Sequence, residues 1–413
     1  MAERFKAPRG TYDALPEEME RHDLVDGVAR RLFRRAGFGL IETPVFEDTE
    51  LFERGVGDST DIVRKEMFTF EDKGGRSLTL RPEGTAPICR AYIEHGMSKW
   101  PQPVKLAYSG PFFRHERPQA GRYREFHQLG VEVIGSDSPL ADAEVIILLD
   151  VLVRELGLPG VTLRINSLGS GEVRDRFRED LARYLRQHEA ELSTEVRERI
   201  DSNPLRAFDS DDEGTRKVMA DAPRLLDAVS AEDREHFERV QELITAAGVE
   251  YEIDPTLVRG LDYYSRTVFS MVCDRLGSQS EIGGGGRYDD LITDLGGPEA
   301  PAVGWAAGVE RLLLALGEEA PDDSRPIDLF VVVCSEKDWE KAFALVDGYR
   351  NQGLSVELDL AGRRLKGQLK QADRSGSEWT LILNEDGALE LKSMSSGEQQ
   401  QVDPAEVPGM VRP

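Results

Sequence analysis

Two adjacent β-like stretches restrict the fold of this chain more than any other feature of it. Residues 104–116 and 125–135 both read as strands. The polar loop between them, 117–124, holds Pro118, Gln119 and Gly121, so the pair reads as an antiparallel hairpin. Side chains alternate along a strand. His127, Leu129, Val131 and Val133 therefore share one face, and Phe126, Gln128, Gly130, Glu132 and Ile134 the other. The first face is mostly apolar and suits a core. The second gathers a ring, an amide and a carboxylate around a glycine, which suits the floor of a pocket; a solvated sheet face is the plainer alternative. Gly110, Phe112 and Arg114 of the partner strand can join that surface.

Other segments point the same way. In LTLRPEGT, Thr79, Arg81 and Glu83 alternate onto one face, with Thr85 just beyond. The glycine run 283–286, followed by Arg287 and Tyr288, either forms a tight turn or lets backbone approach a ligand closely. Residues 257–266 (LVRGLDYYSR) are too polar for a buried strand. In 304–311 (GWAAGVER) small residues lead into a helix whose first turn carries Arg311. A guanidinium is unfavourable near a helix N-terminus, which suggests that it serves an anion.

Around these segments the chain has a legible order. Pro16 can open a helix with apolar residues at Leu24, Val25, Val28, Leu32 and Phe33, stopped by Gly37. A strand-like run, 38–46, is broken by Pro44, and 77–83 reads as a further strand. From 169 to about 254 the texture is almost purely helical (Val173, Phe177, Leu181, Leu185; Phe237, Val240, Ile244), as expected of an insertion between two halves of a β-rich domain. Strand and glycine signals return at 257–308. The acidic, proline-containing 317–325 reads as a linker. After it, strands at 327–333, 355–358 and 379–383 alternate with helices at 337–352 and 362–376, a small α/β domain over 326–413.

Several chemistries are absent. There is no GxxxxGK[ST] phosphate loop, HExxH or GxSxG. Six histidines and three scattered cysteines (Cys89, Cys273, Cys334) give no metal-ligand spacing, and a reducing cytoplasm fits them. Cys89 reads as a small buried residue, and His115 and His127 as structural. No apolar run is long enough for a membrane helix, the longest candidate (145–153) being interrupted by Asp150, and the N-terminal MAERFKAPRG carries no apolar leader core.

With these residues in place the sequence resembles the histidyl-tRNA synthetases over essentially its whole length. GFGLIETPVFE corresponds to class II motif 1, FRHERPQAGRYREFHQLGVEVIG to motif 2 and AVGWAAGVERLLLAL to motif 3. The histidine signatures stand as LVRGLDYYSRTVF and IGGGGRYDDL, and NPLRAFDS (203–210) fits the insertion. Two departures are Ser270, where a glutamate is usual, and Asp290, where glycine is common. The resemblance implies an α+β fold: a class II antiparallel sheet flanked by helices, with a catalytic domain in two parts (1–168 and 255–317), a helical insertion (169–254) and a C-terminal α/β anticodon-binding domain (326–413). It also implies ATP-dependent joining of L-histidine to tRNA(His) through a histidyl-adenylate, and a homodimer formed through motif 1.

Residue by residue, the resemblance assigns Arg259 and Arg114 to the α-phosphate, with Arg311 and Arg122 facing the distal phosphates of ATP and Phe126 stacking on adenine. Mg²⁺ is expected to be held mainly by ATP itself, with Glu116 as a protein ligand and no protein-built metal site. Glu83, Thr85 and Gln128 are assigned to the α-amino group of histidine, Glu132 and Tyr264 to its imidazole, with Tyr288 close by. Arg117 and Gln119 are assigned to the tRNA acceptor end. A related regulatory subunit of ATP phosphoribosyltransferase lacks the C-terminal domain and typically loses parts of RGLDYY; Arg259 and the segment 326–413 argue against it here. A tRNA-sensing domain joined to a kinase is excluded by the lack of kinase motifs.

The net charge of −25, with eleven lysines against 41 arginines, suits a soluble acidic surface or life at high salt. Taken alone it argues against a polyanionic partner. Its distribution does not: residues 76–130 carry nine basic and four acidic residues, and 361–374 five basic residues against one aspartate.

Overall fold

A computed structural model describes residues 5–57, 60–277, 280–317 and 327–412. The first four residues of the N-terminal stretch, and the linker from 318 onward with residue 326, lie outside the described residues. The chain forms two units that divide at Pro321.

In the first unit the strands are β1 (Gly39–Leu40), β2 (Phe46–Asp48), β3 (Phe68–Glu71), β4 (Ser77–Leu80), β5 (Val104–Phe113), β6 (Glu125–Ile134), β7 (Val161–Ser167), β8 (Glu252–Ile253), β9 (Ser265–Cys273), β10 (Glu281–Arg287) and β11 (Ala302–Gly308). An eight-stranded sheet has the order β1-β5-β6-β11-β10-β9-β7-β8, and β2-β4-β3 form a small second sheet. From β5 to β7 all neighbours are antiparallel. The two short edge strands, β1 on β5 and β8 on β7, are parallel. The antiparallel sheet expected from the sequence therefore has parallel margins, because each edge strand enters along the sheet after a helix rather than through a hairpin.

The helices are α1 (Pro16–Arg35), α2 (Thr49–Val56), α3 (Thr85–Glu94), α4 (Pro139–Glu155), α5 (Gly171–Gln187), α6 (Thr194–Arg199), α7 (Glu213–Ala220), α8 (Leu225–Ala228), α9 (Ala231–Ala246), α10 (Leu291–Asp294) and α11 (Val309–Leu316). In α1, Pro16 takes the first position and Glu18 accepts the Leu15 N–H, while Val25, Val28, Ala29, Leu32 and Phe33 form its buried face. Gly37, at φ 75°, ends it. Helices α1, α4, α9 and α11 cover one face of the sheet, and Leu129, Val131 and Val133 point into that core. The apolar run at 145–153 is the middle of α4, nearly encircled by protein. No helix among the described residues is long and apolar enough to cross a membrane.

The opposite face is covered by α3, through Ile88, Cys89 and Tyr92 packed on Leu106, Tyr108 and Phe112. The solvated face that the sequence left open is thus a covered one. Helices α5 to α8 build a core of their own with Phe177, Leu181, Leu185, Val218 and Leu225, which also takes in Val258, Tyr264 and Val268. Helix α9 behaves differently: Phe237, Val240 and Ile244 return to the main core. The helical block of the sequence thus serves two cores.

The second unit contains β12 (Leu329–Val333), α12 (Trp339–Asn351), β13 (Val356–Leu358), α13 (Leu365–Arg374), β14 (Trp379–Leu383), β15 (Leu389–Ser393), β16 (Gln399–Gln401) and α14 (Val407–Val411), with strand order β13-β12-β14-β15-β16. The β15–β16 hairpin was not legible in the sequence, since LELKS and QQQ are half polar. Gln368 pins α13 to the sheet: its amide donates to Val333 O at 2.9 Å and Arg363 O at 2.8 Å and accepts from Val333 N at 2.8 Å. That leaves Arg363, Arg364, Lys366, Lys370 and Arg374 exposed on one short stretch.

Candidate active site

The covered face of the sheet leads to a polar floor. Glu132, on β6, is 1% exposed. It lies opposite Gly304 of β11, where a Cβ would come 1.7 Å from its Oε2, so only glycine leaves room for the carboxyl. Thr85 Oγ1 donates to Glu132 Oε1 at 2.8 Å, and the Tyr288 hydroxyl donates to Oε2. Burial pushes Glu132 up to about 8; the two hydroxyl bonds pull it down and nearby Glu83 adds to the rise. Glu83 stands at the head of α3, where its carboxylate accepts the N–H groups of Thr85 (2.7 Å) and Ala86 (2.9 Å). A carboxylate is favoured at a helix N-terminus, yet full burial still raises its pKa.

The raised value of Glu132 has a measurable consequence. The folded protein holds this proton up to about pH 8, whereas the unfolded chain releases it near the ordinary 4.5. Stability from this group is therefore complete at low pH and lost as pH rises through that window. Ligand-free protein is expected to melt at falling temperature from about pH 5 to pH 8. Glu132→Gln should flatten that slope, and an unchanged slope would refute the assignment.

Tyr263 and Tyr264 enter from the RGLDYY segment, which is a loop ending where β9 starts. Their rings lie 4.7 Å apart, and Tyr263 meets the Tyr288 ring edge-on at 5.6 Å. The loop is anchored by Asp262: its Oδ1 accepts from Asn203 Nδ2 at 2.6 Å, and its backbone oxygen from Arg174 at 2.9 Å. Helix α5 and the segment at Asn203 therefore brace the signature.

Arginines gather beyond this floor. Arg114 Nε donates to Pro82 O at 2.8 Å, and its guanidinium lies 5.3 Å above the Phe126 ring. Glu116 sits between Arg114 (3.7 Å) and Arg122 (3.1 Å). Arg259 Nη1 pairs with Glu281 at 2.9 Å, and its guanidinium lies 5.7 Å from the Tyr264 ring. Its Nε is buried without a partner. Arg311 Nε donates to Glu281 O. Burial, then the neighbouring charge of Arg122, lowers the pKa of Arg311. Cations held together against burial favour an anion among them. Gln128 stands on the same strand face as Glu132, and its buried Oε1 lacks a partner. Arg117 and Gln119 are exposed on the hairpin loop, which Gln119 and Arg122 close by backbone bonds of 3.1 and 2.9 Å.

Residues 10–312 match the family model described as Histidyl-tRNA synthetase, and residues 328–412 that described as Anticodon binding domain. The chain belongs to the histidyl-tRNA synthetase family. Among its relatives, the histidine–tRNA ligase of Thermosynechococcus vestitus is 48% identical over 409 residues, covering 98% of this chain and 95% of the relative. That of Halothermothrix orenii is 47% identical over 406 residues, 96% of each chain. The crystal structure of the apo S. aureus histidyl-tRNA synthetase has a TM-score of 0.83 at 35% identity and covers 99% of this chain and 100% of that one. A Bacillus halodurans structure, described as an ATP phosphoribosyltransferase regulatory subunit/histidyl-tRNA synthetase, reaches 0.67 at 26% identity, covering 91% and 97%.

Within the family fold, Glu83, Thr85, Glu132, Tyr264 and Tyr288 come together around the floor, and three segments differ from the sequence reading. The glycine run lies inside β10 and is not a turn. Arg287 turns away from the site and is fully buried against Asp142, leaving Tyr288 to face Glu132. Thr79 and Arg81 do not continue to the site. Thr79 bonds Thr49 and Thr69, and Arg81 holds Thr43 O and Pro111 O at 2.8 and 2.9 Å over the Phe112 ring.

His127 is aimed as alternation requires but sits at the open end of its strand, with its side chain 44% exposed. Its backbone N–H donates to Glu310 of α11, which so ties motif 3 to the motif 2 strand. Cys89 is buried, and burial drives its thiol pKa well up, away from nucleophilic use. Tyr263, Asp262 and Glu281 were not singled out from sequence. The first two lay in a quoted signature, but Glu281 carried no signal.

Proposed function

We infer that this chain is a histidine–tRNA ligase: it joins L-histidine to its tRNA with ATP, through a histidyl-adenylate. The observation that carries the reading is the pairing, on one sheet face, of a buried carboxyl framed by Thr85 and Tyr288 with a group of arginines. An imidazole N–H is well matched to Glu132, and Tyr264 is the partner for the second ring nitrogen. Such a site rejects side chains that leave its buried groups unpaired. Glu83, Thr85 and Gln128 take the α-amino group.

In the first step a carboxylate oxygen of histidine attacks the α-phosphorus of ATP. The new O–P bond forms as the bond to the β-phosphate oxygen breaks and pyrophosphate leaves. Arg114 and Arg259 spread the charge that builds on the α-phosphate, while Arg122 and Arg311 hold the distal phosphates, in the manner suited to a planar, permanently charged fork. Phe126 is the ring for adenine. In the second step a terminal ribose hydroxyl of the tRNA attacks the histidyl carbonyl; AMP leaves, and its phosphate oxygen takes the hydroxyl proton. Arg117 and Gln119 touch that acceptor end.

Mg²⁺ comes with the triphosphate and offsets its charge. Glu116 is the neighbouring carboxylate but is already shared by two guanidiniums, and no cluster of three metal-ligating side chains occurs among the described residues. A metal carried by ATP fits that donor set better than one caged by protein.

Histidine-dependent exchange of pyrophosphate into ATP tests the reading, and its absence from pure protein would sink it. Removing residues 326–413 tests the tRNA half. Charging should fall by roughly a hundredfold, as for about 3 kcal/mol of lost tRNA binding, with exchange largely kept; equal losses would speak against anticodon contact by the exposed basic stretch around α13.

A second copy of this chain is the proposed cover for the apolar surface of motif 1. Leu40, Val45 and Phe46 are 45%, 37% and 50% exposed there, next to Phe70 at 43%. A solution mass equal to one chain at micromolar concentration would refute the homodimer. The three free thiols suit the cytoplasm.

A further inference from the structure

Glu281, the first residue of β10, joins groups from three segments at the rim of the site. Its Oε2 pairs with Arg259 Nη1 at 2.9 Å and accepts from Ser270 Oγ at 2.9 Å. Its backbone oxygen accepts from Arg311 Nε. One residue thus touches two of the arginines assigned to the phosphates of ATP. Arg259 comes from a loop, and a free arginine side chain samples many rotamers; a carboxylate on a strand, itself fixed by a hydroxyl on the next strand, restricts it to a few. Gly284 shows where that guanidinium lies: a Cβ there would stand 2.9 Å from Arg259 Nη1 and 3.1 Å from Ser270 Cα. The cation therefore rests on the β9–β10 pair, within reach of a longer side chain at position 270.

We propose that Glu281, held by Ser270, is a positioning residue for adenylate formation that sets Arg259 directly and Arg311 through its backbone oxygen. Its carboxylate acts on the reaction only through Arg259; the backbone oxygen that holds Arg311 stays in place in side-chain variants. The Glu281 side chain is 46% exposed, but its loss takes the carboxylate from Arg259, which is 14% exposed, and so lowers stability as well as activity.

The proposal rests on the reading of this face as the histidine and ATP site, which exchange by the wild-type protein tests by itself. The variants are scored as ratios to that wild-type rate, so the two failures remain distinct. Glu281→Ala should lower kcat for exchange by roughly 10- to 100-fold, the scale of a misplaced catalytic group, with KM for histidine unchanged and the protein still folded at the assay temperature. Adding Ser270→Glu to it returns a carboxylate to the same guanidinium from the neighbouring strand and should restore most of kcat. A purely structural role predicts instead KM and kcat shifting together with the melting temperature, and no recovery of kcat when the carboxylate is returned. Wild-type kcat in Glu281→Ala, or no recovery in a double variant of normal melting temperature, would overturn the proposal.

Discussion

Arg259→Ala is expected to lower histidine-dependent pyrophosphate exchange by roughly a thousandfold, the scale seen when one charge-stabilising donor is removed from a phosphoryl or acyl transfer site. Three observations set that size. The guanidinium is enclosed, with only 14% of its side chain exposed, so its field is little screened by water. Its Nε is buried without a partner, a donor left for a ligand. Its charge persists against burial because the Glu281 carboxylate, with Tyr264 and Tyr263 beside it, outweighs the desolvation. The fold should survive, since the partner left behind is half exposed. Exchange in single-turnover conditions, with melting measured in parallel, decides it: activity within tenfold of wild type would remove Arg259 from the reacting centre.

The largest expected loss of stability lies away from the chemistry. Arg287 and Asp142 are both 0% exposed and paired, joining β10 to the first turn of α4. Asp142→Ala leaves a buried guanidinium short of its main counter-ion. Such breaks cost about 3–5 kcal/mol, and the lower end is expected. Arg287 keeps Asp289 at 3.0 Å and the backbone oxygens of Ser136 and Ser138 at 2.8 and 3.1 Å.

The pH dependence follows from the same pair. Burial alone would raise Asp142, but Arg287 and His236 more than offset it and hold it at about 2. A depressed carboxylate contributes stability above its unfolded value, near 3.8, and loses it as pH falls through about 2. Wild type should therefore lose more stability between those values than Asp142→Asn, as measured by denaturant titration. Because Arg287 precedes Tyr288, the same variants should weaken histidine binding. A denaturation midpoint unchanged in Asp142→Ala would refute the structural role of the pair.

Much of the site was legible before the fold was known. Strand alternation separated Gln128 and Glu132 from Leu129, Val131 and Val133, and the structure keeps that division. Arg311, read from the sequence as serving an anion, reaches sideways to a backbone oxygen of β10. The parallel edge strands, with two residues each in β1 and β8, were too short for any periodicity to register. The opposite fates of Arg287 and Tyr288 follow from alternation, yet which face held the site at β10 depended on a neighbour strand. Glu281 carried no signal because its partners are Arg259 and Ser270, at 22 and 11 residues' distance on other segments.

The charge separates the two levels of information in the same way. The sum of −25 describes the surface as a whole, while the hairpin and the stretch around α13 are locally basic. By itself the sequence determined periodicity, local charge and motif content: which residues share a strand face, where helices start and stop, and the family to which they point. These are properties of neighbours along the chain, set by the two-residue repeat of a strand and the 3.6-residue repeat of a helix. Only the tertiary structure decided that Glu132 keeps its proton to about pH 8, that Arg287 turns into the core, and that Glu281 ties two arginines together. Each depends on burial and on partners such as Tyr288, 156 residues from Glu132. Desolvation and short-range electrostatics act through space, and no local pattern encodes which distant groups the fold brings within 3 Å.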